Sequence, residues 1–203
     1  TRGFMIIVAL RNLICLIGLI VILPFLAIAS ILICLEDGFP VFFKQKRIGL
    51  NKQIFTIYKI RTLKRNAPQV GTHEIEDHYK LNVGRIIRTL KLDEFPQLFN
   101  VIRGDLNLIG PRPGLESQLA LEVARMVQGV FETKPGITGL AQVLGYDMST
   151  PEMLAKIDKL YVNHKSIKLN IIIFLGTFLK YPRTYLASML NISNLSKSNE
   201  RLN

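Results

Sequence analysis

Two adjacent carboxylates, Asp93 and Glu94, stand in the segment LKLDEFPQLFNVIRG, with Arg85, Arg88 and Lys91 before them and Arg103 after. Acids at a helix start ordinarily cap free amides and complement the dipole, for about 1 kcal/mol. Pro96 changes that reading, because it removes an amide that a capping Asp93 would use. Just downstream, Gly110, Pro111, Arg112, Pro113 and Gly114 form a rigid turn. Such a turn holds one guanidinium in a fixed direction, suited to bidentate contact with phosphate. A carboxylate in this basic setting stays ionised, which makes Asp93 either a magnesium ligand or a nucleophile toward phosphorus. Pyrophosphate cleavage also needs charge neutralisation on nonbridging oxygens, which Lys59, Arg61, Arg88 and Arg112 could supply together with a metal.

Composition supports phosphate as the target. Lys plus Arg outnumber Asp plus Glu by 26 to 15 although 49% of residues are hydrophobic, so basic and apolar residues must be segregated. Residues 38–73 carry eight cations, from Lys44 to Arg65, and no acid. Nucleic acid, anionic lipid headgroups or a phosphorylated small molecule would each satisfy that charge, and a solvated basic face is the plain alternative. The interleaved aromatics of a single-strand binder are missing, which argues against nucleic acid. Walker A, GxGxxG and GxSxG patterns are absent. His73, Glu74 and His78 resemble a zincin signature, but the histidines are spaced too far apart to share a helix face. His164 reads as structural, and Cys15 and Cys34 as small packing residues inside an apolar run.

The elements that must position these groups begin with that run. From Leu13 to Leu35 no side chain is charged, a length that at about 1.5 Å per residue crosses a bilayer core about 30 Å thick. Pro24 at its middle predicts a kink. Arg2 and Arg11 on one flank and the basic cluster on the other place both ends on the cytoplasmic side, which favours re-entry over crossing. Bonds freed at Pro24 would need Ser30 or neighbouring protein.

Beyond Gly38 and Pro40, alternating segments Val41 to Lys46 and Gln53 to Lys59 predict a β-hairpin turning at residues 49–52, and residues 66–84 predict a loop. Leu92, Phe95, Leu98, Phe99 and Ile102 follow helical spacing, with Asp93 and Glu94 at the start and Gly104 as the stop. Further helices are expected between residues 115 and 130 and between 151 and 161. Residues 171–179 suit a buried or interfacial helix. The expected class is α+β: a Pro-broken re-entrant membrane helix over residues 1–37, a mostly helical catalytic domain with a short hairpin and interfacial amphipathic helices over 38–187, and a polar, disordered tail over 188–203.

Three ordered blocks then resemble one family. They are FKQKRIGLNKQIFTIYKIRTL from Phe43 to Leu63, GRIIRTLKLDEFPQLFNVIRGDLNLIGPRP over residues 84–113, and KPGITGLAQV over 134–143. The chain resembles the bacterial sugar transferases, or monotopic phosphoglycosyl transferases, over nearly its whole length. The resemblance implies a ping-pong reaction at the cytoplasmic face of the bacterial inner membrane. Asp93 would attack a UDP-sugar, release UMP and hold the phosphosugar, which polyprenyl (undecaprenyl) phosphate then takes. Glu94 would assist. Mg2+ would bridge Asp93 and the diphosphate, while Lys59, Arg61, Arg88, Arg112, Pro113 and Gln142 would line the substrate. The proline-broken re-entrant helix falls on Pro24. A donor carrying an N-acetylhexosamine or a deoxy-amino derivative is the expectation, membrane lipid a partner and nucleic acid not, with a homodimer and downstream glycosyltransferases compatible with this role. The large membrane region of some relatives is absent, so the minimal form is expected. Departures are Tyr146 after Gly145 where many members carry arginine, His164 in place of asparagine after Asp158 and Tyr161, and Asn170 in place of an acid.

Overall fold

Helix α1, Arg2–Asp37, contains residues with little to oppose helix formation except Pro24, and helical structure continues on both sides of that proline. The computed structural model describes residues 2–68 and 75–189; His73 and Glu74 of the zincin-like spacing and residues 190–203 of the predicted tail lie outside them. From Met5 to Asp37 the helix is long and apolar enough to cross a membrane. Ser30 is not a partner for the bonds freed at Pro24, because its hydroxyl donates to its own turn at the Leu26 carbonyl, 2.6 Å away.

Most of α1 exposes apolar side chains, among them Ile6, Ile20, Phe25 and Ile31. Leu26, Ala29 and Ile33, spaced three and four apart, are buried instead and form one core with Val41, Ile60, Leu81 and Ile87. Gly18 allows the segment around Leu98 close, since a Cβ there would meet the Leu98 side chain at 3.3 Å.

The described residues fall into two compact units, one within Thr1–Arg47 and Ile54–Leu106, the other within Ile48–Gln53 and Asn107–Asn203. In the first, β1 (Phe42–Ile48) and β2 (Ile54–Ile60) form the predicted hairpin. Its turn, a 3-10 segment Leu50–Lys52 with Asn51 at φ 49 and Lys52 at φ 61, groups with the second unit. The predicted loop over residues 66–84 is overtaken at its end by helix α2, Asn82–Thr89. Gly84 reads as a loop signal but is there for close packing, because a Cβ would overlap the Thr62 carbonyl.

The predicted acid-bearing helix divides into a 3-10 turn, Leu92–Glu94, and α3, Gln97–Arg103. Gly104 ends it as expected, at φ 87.

In the second unit, β3 (Asn107–Ile109) and β4 (Gly136–Thr138) pair in parallel, a feature too short for sequence patterning to reveal. Gly110 and Gly136 make the approach feasible: a Cβ on Gly110 would lie 2.8 Å from both Gly136 N and Lys134 O. Helices α4 (Leu119–Val127), α5 (Leu140–Val143), α6 (Pro151–His164), α7 (Ile167–Phe178) and α8 (Tyr181–Met189) complete this unit. Its core holds Ile109, Leu121, Leu140, Ile157, Tyr161 and Ile173. Ser188, expected to open the tail, belongs to α8.

Candidate active site

Lys91, at φ 56, turns the chain out of α2 and into the 3-10 segment that presents the acids. Neither Lys91 nor Pro96, at the two N-terminal positions, supplies a side-chain cap. The pair is therefore set one turn ahead of α3, inside continuous right-handed backbone through Phe95 and Pro96. Both acids are half-buried. Lys59 Nζ on β2 lies 3.2 Å from Glu94 Oε1, with both side chains largely covered. A cation at that distance offsets the mutual repulsion of two neighbouring carboxylates.

Asn100 fixes α3 against β2. Its Oδ1 accepts from Tyr58 N at 3.2 Å, and its Nδ2 donates to Thr56 O at 2.7 Å and to Asp105 Oδ2 at 3.0 Å. The side chain is fully buried. An asparagine in an apolar helix was the available signal for this role, and its spacing alone did not reveal the partner.

The remaining cations divide by partner. Arg88 on the last turn of α2 donates from Nε to Thr62 Oγ1 at 2.7 Å. Arg61, read from sequence as a substrate ligand, is 6% exposed and binds Asp37 together with main-chain carbonyls, so its observed work is to hold the chain. Arg85 pairs with Asp77 at 2.8 Å and Arg103 with Asp105 at 3.4 Å.

Lys59, Arg61, Arg88, Asp93 and Glu94 thus lie in the first unit, while Arg112, Pro113 and Gln142 lie in the second. There the Gly110–Gly114 turn follows β3 and is anchored by Gly136 N donating to Pro111 O at 2.9 Å and Ile48 N donating to Gly114 O at 3.0 Å. Gln142 has a buried Oε1 that meets no hydrogen-bond partner among the described residues.

The profile of a family described as bacterial sugar transferase matches residues 5–183. The chain belongs to the bacterial sugar transferase family. Among its relatives in that family, the chain is 42% identical over 137 residues to the uncharacterized sugar transferase EpsL of Bacillus subtilis, covering 68% of this chain and 67% of that protein. It is 40% identical over 126 residues to the UDP-glucose:undecaprenyl-phosphate glucose-1-phosphate transferase of Caulobacter vibrioides, covering 60% and 47%. The UDP-N-acetylgalactosamine-undecaprenyl-phosphate N-acetylgalactosaminephosphotransferase of Aeromonas hydrophila is 36% identical over 162 residues, covering 76% and 38%. The match therefore spans less than half the length of those last two sugar transferases.

The departures from the family pattern have structural settings. Tyr146 packs on the core of the second unit after Gly145, which is at φ 86. Asp158 is paired with Arg125, whose Nη2 is 2.6 Å from Oδ2, and both are buried. Burial pushes the Asp158 carboxyl up, against the pull of Arg125. The Tyr161 hydroxyl lies 3.1 Å from Ile109 O and 3.0 Å from the Asn170 side chain. Desolvation pushes its pKa up to about 12, so it stays a protonated donor. His164 is exposed and its Nδ1 lies 2.9 Å from Leu160 O.

Proposed function

We propose that the chain is a phosphoglycosyl transferase, moving a sugar 1-phosphate from a UDP-N-acetylhexosamine to undecaprenyl phosphate in a surface glycan pathway. The observation that carries this reading is the half-buried Asp93 and Glu94 pair, with Lys59 against Glu94, in a family whose relatives are named for that transfer. The relatives differ in the sugar named, so the donor specificity is this chain's own.

In the proposed reaction, an Asp93 carboxylate oxygen attacks the sugar-bearing phosphorus of the donor. The bond from that phosphorus to the bridging oxygen breaks, and UMP leaves with the oxygen and the electron pair. The phosphosugar is held as an acyl phosphate on Asp93. A phosphate oxygen of undecaprenyl phosphate then attacks the same phosphorus, frees the Asp93 carboxylate and yields an undecaprenyl diphosphosugar. Lys59 and Arg88 of the first unit are assigned to phosphate binding. Glu94 positions the acceptor or manages its proton.

Among the described residues no group of three or more His, Cys, Asp or Glu side chains gathers to hold a metal. Magnesium is compatible with fewer, since it takes one or two carboxylates and completes its shell with water and substrate phosphates. Asp93 would hold it, with Glu94 adjacent. When bound, it neutralises charge on the nonbridging oxygens.

The long apolar α1 supports a site at the membrane that would hold the acceptor. We assign it to the cytoplasmic membrane as a re-entrant segment bending at Pro24, with the catalytic residues on the cytoplasmic face.

The test is UMP release from a panel of UDP-sugars, UDP-glucose included, with magnesium, with and without undecaprenyl phosphate. A UDP-N-acetylhexosamine is expected to react, and Asp93→Asn to be inactive. A silent panel, or an Asp93→Asn protein as fast as the parent, would sink the covalent mechanism.

A further inference from the structure

Glu36 and Asp37 end α1, where the helix dipole disfavours acids, and no basic residue stands in that last turn. Local helix energetics give no reason for them, so the reason lies in what they touch. Glu36 reaches the start of α2: Oε1 accepts from Asn82 N at 2.7 Å and Oε2 from Val83 N at 3.0 Å. Leu81, at the N-cap position of α2, has no side-chain cap of its own. One carboxylate of the apolar helix thus caps the helix that carries Arg88.

Asp37 reaches the end of β2. Its Oδ2 accepts from Arg61 Nη1 and from Arg65 N, the latter at 3.2 Å. The same guanidinium donates from Nε to Pro40 O at 2.6 Å and from Nη2 to Gly38 O, closing the exit of α1 around it. Arg61 directly follows the end of β2, and Lys59, two residues before it on that strand, is the residue that meets Glu94. The branches meet again where Arg88 Nε donates to Thr62 Oγ1, the residue after Arg61. Ile33, Ile60 and Ile87 close the frame from below as one buried cluster.

We infer that Glu36 and Asp37 are positioning residues, which set Arg88 through α2 and Lys59 through β2 relative to Asp93 and Glu94. The apolar helix is then part of the catalytic framework as well as an anchor. This rests on the phosphosugar-transfer reading for its activity readout, and on the contacts alone for its structural one.

The experiment compares Glu36→Gln, Asp37→Asn and, as a control, Asp77→Asn, which removes an exposed acid paired to Lys80 and Arg85. Each full-length protein is measured in the same nanodiscs for kcat and KM of UMP release, for thermal unfolding, and for amide exchange. Glu36→Gln and Asp37→Asn are expected to lose roughly 10- to 100-fold in kcat, as misplaced charges do, with a cooperative melt retained and KM little changed. Exchange at Asn82 and Val83 is expected to quicken in Glu36→Gln, and Asp77→Asn to match the parent. Parental kcat in both variants would overturn the inference, and so would loss of the cooperative melt, which would mark the pair as fold residues. A parent that releases no UMP sinks the transferase reading. Exchange then decides the clamp by itself, and unchanged exchange over α2 overturns it.

Discussion

Lys59 meets Glu94 and not a solvent-exposed acid, so its charge acts where screening is weak. Replacing it with methionine keeps the stem and removes the charge. Lys59→Met is expected to lower UMP release about 100-fold, the order found for removing one preorganised donor, and Lys59→Arg to recover part of it. Asp37 gives a pH prediction. The hydrogen bond from Arg61 holds its carboxyl below the ordinary carboxylate value, against desolvation and with help from the Arg65 amide. A depressed folded-state value means that the pairing stabilises in full above the unfolded value of about 3.9 and is lost as pH falls through the lower, folded one. Asp37→Asn should therefore be less stable than the parent at neutral pH yet lose stability less steeply below about pH 4, read by denaturant unfolding at a series of pH values. These roles had different visibility. The cations near the acids were countable in sequence, but the partners they meet lie far along the chain, as Arg61 meets Asp37.

At the scale of elements, close approaches decide how the site is held. Gly84→Ala would drive a Cβ into the Thr62 carbonyl and lift α2 from the segment after β2 that meets Arg88. We expect it to reduce UMP release more than it reduces the melting temperature, as measured on the same preparation. Gly136→Ala would press on the Gly110 backbone and part β3 from β4, and its expected signature is loss of ordered tertiary signal in near-UV circular dichroism. The buried Arg125 and Asp158 pair joins α4 to α6. Arg125→Met is expected to cost about 3–5 kcal/mol in denaturant unfolding, because it strands a buried carboxylate, and a second change Asp158→Leu to recover part of that loss. The hairpin, α3, α4, α6 and α7 were legible because their periodicity or terminators are local. α2 was hidden by its polar residues and by Gly84, β3 and β4 by their brevity, and α8 by its mixed composition.

For the whole molecule, the exposed apolar face of α1 is the dominant feature, since such a surface is stable only against lipid or protein. If α1 re-enters, single cysteines introduced at Gly3 and Phe39 in a Cys15→Ser, Cys34→Ser background will both react with an impermeant thiol reagent in inside-out vesicles, and neither in right-side-out ones. Labelling of the two ends from opposite sides would instead establish a crossing helix. The basic balance, the apolar run, the acid pair and the three family blocks are written in consecutive residues, which is why the membrane-seeking segment, the mixed α and β class and membership in the bacterial sugar transferase family were legible before folding. Tertiary structure alone decided the rest: that Glu94 faces Lys59, that Asn100 staples α3 to β2, and that Glu36 and Asp37 hold α2 and Arg61. Each of those contacts joins residues far apart in the chain through a hydrogen bond of fixed length and direction. Local pattern carries no record of such a pairing until the chain has folded.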